Sequence, residues 1–143
     1  MKHYCPTSLR RNRAVAQIAY AWPPLRTRSG RRKAIIKRGV IVARIKPGAE
    51  QEVARIFAES DATELPRLTG VRHRSLFVLD DIYIHLVETD DEFAEAVDKV
   101  RDHELFQDIS RKLDPYIQPY NPETWRSPKD AQAREFYSWE PEG

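Results

Sequence analysis

From Val71 to Glu88 the chain reads VRHRSLFVLDDIYIHLVE, two runs rich in β-branched, aliphatic and aromatic residues broken only by Asp80-Asp81. No other segment restricts the fold as tightly. A two-residue Asp-Asp break between such runs predicts a β-hairpin, because Asp tolerates the backbone angles of a tight turn. Pairing then places Leu79 opposite Ile82, Phe77 opposite Ile84 and Ser75 opposite Leu86 on one face. The other face carries Val78 opposite Tyr83, Leu76 opposite His85 and Arg74 opposite Val87. The first face is the one expected to lie under helices. The second is expected to stay open, with Arg74 and His85 as diagonal neighbours within side-chain reach. A slip of one residue would turn one strand's whole set over, so the reading rests on the turn length.

Structural roles exist for each of these residues. His85 is readable as a half-buried strand histidine with a hydrogen-bond partner, and Arg74 as one half of an ion pair with Glu88 or Glu64. Asp80 and Asp81 read as turn residues rather than ligands. His73 is expected at the helix side or near the strand end by Glu88, and His103 at a helix boundary. The four histidines, His3, His73, His85 and His103, have no metal-ligand spacing, and no metal site is expected.

Around the hairpin the periodicities alternate. Gly39–Ile45 (GVIVARI) reads as a strand stopped by Lys46-Pro47-Gly48. Ala49–Ser60 reads as a helix, with Val53, Ile56, Phe57 and Ser60 at helical spacing. Asp61–Gly70 reads as a polar connector. Thr89 and Glu92 are spaced as a capping box opening a helix with Phe93, Ala96, Val97 and Val100 on one side. A further helix carries Leu105, Phe106, Ile109 and Leu113 and stops at Pro115. Asn121–Pro128 reads as a loop and Arg134–Glu140 as a last strand with Phe136 and Trp139. The order strand, helix, strand, strand, helices, strand predicts an α+β chain: a ferredoxin-like split βαβ antiparallel sheet with helices on one face.

Charge divides the chain near Gly39. Residues 1–38 hold eleven of the 24 Lys and Arg and no acid, which leaves thirteen bases against 22 acids and a net charge of −9 for residues 39–143. The basic extension is readable as a disordered segment, a transit-type segment or an arm for acidic surfaces. Disorder is the expectation taken for residues 1–38. The acidic body opposes phosphate, and the aromatic platform of ferredoxin-like RNA binders is missing, so nucleic acid is not an expected partner. The lone Cys5 allows no internal disulfide and fits a reducing, cytoplasmic setting. No apolar run approaches the roughly 18 residues that span a bilayer, so no membrane role is expected. G-x-G-x-x-G, Walker A and G-x-S-x-G patterns are all missing, so nucleotide binding and serine-hydrolase chemistry lack support.

Four blocks are more specific: VARIFAESDATELP (53–66), GVRHRSLFVLDDIYIHLVE (70–88), HELFQDISRKLDPYI (103–117) and EFYSWEP (135–141). In order and spacing they resemble the tetracenomycin F2 cyclase family of type II aromatic polyketide cyclases. None of them extends into residues 1–38. The resemblance implies a cyclase domain over residues 39–143 that pairs into a dimeric α+β barrel. It also implies a cofactor-free homodimer acting on a polyketide intermediate, with an acyl carrier protein as a candidate donor. Matched position by position, it implies pocket roles for His85 after Tyr83, for Arg74 and for Asp61. Some members carry a second histidine just before that acid, where this chain has Ser60. The expected chemistry is aldol ring closure. His85 acts as a base of ordinary pKa, Arg74 stabilises the enolate, and Asp61 orients the imidazole or helps expel water. Leu76, Val78, Tyr83 and Trp139 are the expected walls. Much of the rate is expected from holding a floppy chain in one pose, so no single residue should be indispensable. Competing expectations are a cofactor-free oxygenase of the same fold and a non-catalytic subunit that folds the polyketide within the synthase.

Overall fold

The computed structural model describes residues 35–143. Most of the expected basic extension, with Cys5 and His3, lies outside the described residues. Strand β1 (Lys37–Ile45) starts two residues before the expected Gly39 and is followed by helix α1 (Glu50–Asp61). A short helix α2 (Leu65–Thr69) leads into the hairpin of β2 (Val71–Leu79) and β3 (Ile82–Thr89). Helices α3 (Phe93–Val100) and α4 (Glu104–Leu113) and a short β4 (Ile117–Pro119) complete the elements, with a 3-10 turn at Pro128–Ala131. The sheet runs β2-β3-β1-β4 and every pairing is antiparallel, the ferredoxin-like order. No helix among the described residues is long and apolar enough to cross a membrane.

The hairpin has the expected register: Leu79 pairs with Ile82, Leu76 with His85 and Arg74 with Val87. Asp80 takes the left-handed backbone, φ 52°, that the tight turn requires. A bulge near Arg72 then shifts the ladder, so that His73 faces Glu88. His73 points away from the core and bonds the Ser75 hydroxyl at 2.8 Å.

The faces are reversed from expectation. Tyr83, His85 and Val87 are buried beneath the helices, together with Ile41, Ala43 and Ile45 of β1. The face with Phe77, Leu79, Ile84 and Leu86 is the open one, where Phe77 is 54% and Leu79 70% exposed. Alternation separates two faces but does not rank them when both are apolar. The small residues of β1 decide it. Gly39 and Ala43 sit on the helix side, and Gly39 lies so close to α3 that a Cβ there would stand 3.0 Å from Phe93 Cβ.

Three local expectations also change. Pro66 does not extend a connector but occupies the first turn of α2, where a missing N–H costs nothing. Gly70 caps this helix in a left-handed conformation, φ 72°. The Thr89–Glu92 capping box does not form. Thr89 pairs with both Lys37 and Val71 as the buried end of β3, and its hydroxyl donates to the Asp91 carbonyl at 2.6 Å. His103 lies at a helix boundary as expected and caps α4, its Nδ1 accepting from the Leu105 amide at 3.1 Å. Finally, Arg134–Glu140 is not a strand. The outer edge of β1 is taken by Ile117–Pro119 and by Gln132 bridging Ile41, and Phe136 and Trp139 stand exposed.

Candidate active site

Between the sheet and the helices lies a cavity of about 490 Å³, within the usual range for small-molecule sites. Its floor is the helix-facing side of the sheet: Ile41 and Ala43, then Tyr83, His85 and Val87, then Arg74. Phe57 and Ser60 of α1, Phe93 and Val97 of α3, and Phe106 and Ile109 of α4 form the opposite wall. The chain returning after α4 supplies Gln118, Trp125, Arg126 and Ser127 at one side.

Arg74 is the electrostatic centre. Its Nη1 lies 3.1 Å from His85 Nε2 and its Nη2 3.2 Å from Asp61 Oδ1. The guanidinium stacks 4.7 Å above the Phe57 ring, and that ring meets His85 edge-on at 5.2 Å. Guanidinium has no acceptor, so His85 Nε2 accepts from Arg74 and the neutral ring carries its proton on Nδ1. Burial, and then the charge of Arg74, push the His85 pKa down to about 3. The expected imidazole of ordinary proton affinity is therefore replaced by one that binds a proton weakly. Burial lowers the Arg74 pKa, with Asp61 opposing that shift. Arg74 Nε is buried with no partner among the described residues, an orphan donor of the kind that stability alone does not select. Tyr83 also lines the cavity, and burial pushes its phenol above the usual range.

The structure thus brings His85, Arg74, Tyr83 and Ser60 to one cavity and puts Asp61 behind Arg74 as its ion-pair partner. Leu76 packs against the core without lining the cavity. Val78, 43% exposed, and Trp139, 71% exposed, do not line it. Sequence reasoning missed Phe57 as the platform for Arg74, and Trp125 and Arg126 at the rim. A Trp-Arg pair inside an otherwise polar loop was the available signal. Among the described residues no three His, Cys, Asp or Glu are grouped to hold a metal.

Residues 37–140 match the sequence profile of the polyketide synthesis cyclase family. The chain belongs to that family. It is 50% identical over 101 residues to the polyketide synthase CurG of Streptomyces cyaneus, covering 71% of this chain and 94% of that one. It is 43% identical over 102 residues to tetracenomycin F2 cyclase of Streptomyces glaucescens, covering 71% and 93%. An uncharacterised Streptomyces coelicolor protein is 50% identical over 102 residues, covering 71% and 92%. The solved structure of the Streptomyces glaucescens cyclase superimposes with a TM-score of 0.68 at 42% identity, covering 74% of this chain and 99% of that one. That cyclase and this family member therefore share one α+β fold, and the cavity described above lies within the matched residues.

Proposed function

We propose that the protein is a type II polyketide cyclase that closes a ring in a poly-β-ketone by intramolecular aldol chemistry, without a cofactor. The observation that carries this reading is an apolar cavity with a buried Arg74–His85 pair on its floor, in a chain of the cyclase family. Apolar walls favour one folded pose of an otherwise flexible chain. A substrate carbonyl reaching Arg74 competes for the N–H now held by His85. The guanidinium then stabilises the enolate oxygen, and Nε2 becomes free to take a proton from the adjacent methylene. The enolate's charge offsets that of Arg74, which removes one of the two causes of the low His85 pKa. The enolate carbon bonds to a second carbonyl carbon, whose oxygen takes up the proton. Loss of water then gives the aromatic ring. Asp61 anchors Arg74 and does not touch the substrate.

Two copies are proposed to pack through the open sheet face, whose exposed Phe77 and Leu79 support burial against a second apolar surface. The test is purified protein with an isolated polyketide intermediate, with the cyclised product identified by mass and NMR and oxygen uptake followed in parallel. Ring closure without oxygen uptake is expected. Oxygen consumption matched to product would move the assignment to an oxygenase, and activity only inside an assembled synthase would move it to a folding subunit.

A further inference from the structure

The cavity runs across the whole sheet, from Arg74 on β2 at one edge to the rim beside β4 at the other. Three interstrand spacings separate those edges, roughly 14 Å. Each end carries an arginine, but the two are bound differently. Arg74 is ion-paired with Asp61, at 3.2 Å. Arg126 lines the cavity and has no ion pair among the described residues; its side chain donates only to the neighbouring Trp125 carbonyl, at 3.2 Å. The nearby Asp130 carboxylate accepts the backbone amides of Arg126 and Ser127 on Oδ2, at 2.7 and 2.9 Å, and feels the Arg126 charge, but forms no ion pair with its side chain. Those two bonds, with Ser127 capping the 3-10 turn and Lys129 tied to Asp98 at 2.8 Å, hold the Arg126 backbone in place. Asp114 also lines the cavity, but no ion pair joins it to Arg126.

Resting on the cyclase reading above, we propose that Arg126 is a specificity-determining residue that binds a carboxylate at the far end of the substrate. Its planar fork matches a carboxylate through two parallel hydrogen bonds. Trp125 beside it offers a face for the adjoining ring. The substrate class is then an elongated, partly aromatic polyketide acid, with the reacting carbonyls at Arg74 and the acid group at Arg126. A thioester on a carrier has no such carboxylate to offer.

The test measures calorimetric affinity for a hydroxynaphthoate and for the matching naphthol, on the full chain and on Arg126→Gln. Arg67→Gln is the control, since Arg67 is exposed, paired with Glu64 and does not line the cavity. The wild type and Arg67→Gln are expected to prefer the carboxylate about tenfold, and Arg126→Gln to lose that preference while binding naphthol unchanged. Arg126→Lys should recover only part of it, because it restores charge without the fork. In turnover, Arg126→Gln should raise KM about tenfold with kcat within about twofold. A carboxylate preference that survives Arg126→Gln, or the lack of one in the wild type, overturns the assignment. Preference lost on substitution in a protein that closes no ring would overturn the cyclase reading and leave the Arg126 assignment standing.

Discussion

His85 accepts a hydrogen bond from a permanent cation inside an apolar cavity, and this has consequences with a definite sign. Its folded pKa, about 3, lies below the ordinary 6.5. Between those values the unfolded chain binds a proton that the folded chain refuses, so stability falls as pH drops through that window. At about 1.4 kcal/mol per unit, lowering the pH from 7 to 5 should cost roughly 2 kcal/mol through this residue. Urea unfolding at both pH values should show that the difference is largely gone in His85→Gln. For the same reason kcat/KM should show no histidine inflection between about pH 5 and 8. An inflection near 6.5 that disappears in His85→Gln would contradict the geometry. His85→Ala is expected to lose about a hundredfold in kcat while retaining measurable ring closure. Arg74→Lys should lose on the order of a hundredfold or more with the fold intact by circular dichroism. One ammonium does not reach His85 and Asp61 together in the geometry of the fork. The residue types at positions 61, 74 and 85 were legible as a candidate site. The depressed proton affinity was not, because it comes from burial and from a partner eleven residues away.

At the scale of elements, what is local was readable. The two-residue turn set the pairing of β2 with β3, and the apolar stripes located α3 and α4. Asp80 sits at φ 52°, where β-branched side chains are strained. Asp80→Val is expected to cost about 1–2 kcal/mol in urea unfolding and Asp80→Gly to be neutral or mildly stabilising. Equal stability for the Val and Gly variants would remove the turn argument. Elements whose identity depends on distant partners were misread. Thr89 has a capping signature but is held in a strand by neighbours on both sides. Ile117–Pro119 is too short to show alternation and becomes a strand only by lying against Ala43–Ile45. The aromatic run near the C-terminus has strand composition but no free edge of β1 to join.

For the molecule as a whole, the open sheet face sets the remaining prediction. Val40, Val42, Ile84 and Leu86 are half-buried there beside exposed Phe77 and Leu79. Replacing Phe77 and Leu79 together by Glu should weaken self-association at least a hundredfold in analytical ultracentrifugation. Wild-type protein that sediments as a monomer at tens of micromolar would refute the dimer itself. By itself the sequence determined the hairpin pairing from Arg74 to Leu79, the two main apolar helices and the shared face of Arg74 and His85. Each follows from a period of two or 3.6 residues and a short turn, which are properties of neighbouring residues. Only the tertiary structure decided that this shared face turns inward, because both faces are apolar and the choice lies with the packing of α3 on Gly39 and the burial of Ala43. It alone placed Asp61 behind Arg74 and brought Trp125 and Arg126 to the far rim. Those contacts join residues distant along the chain, and no local pattern records them.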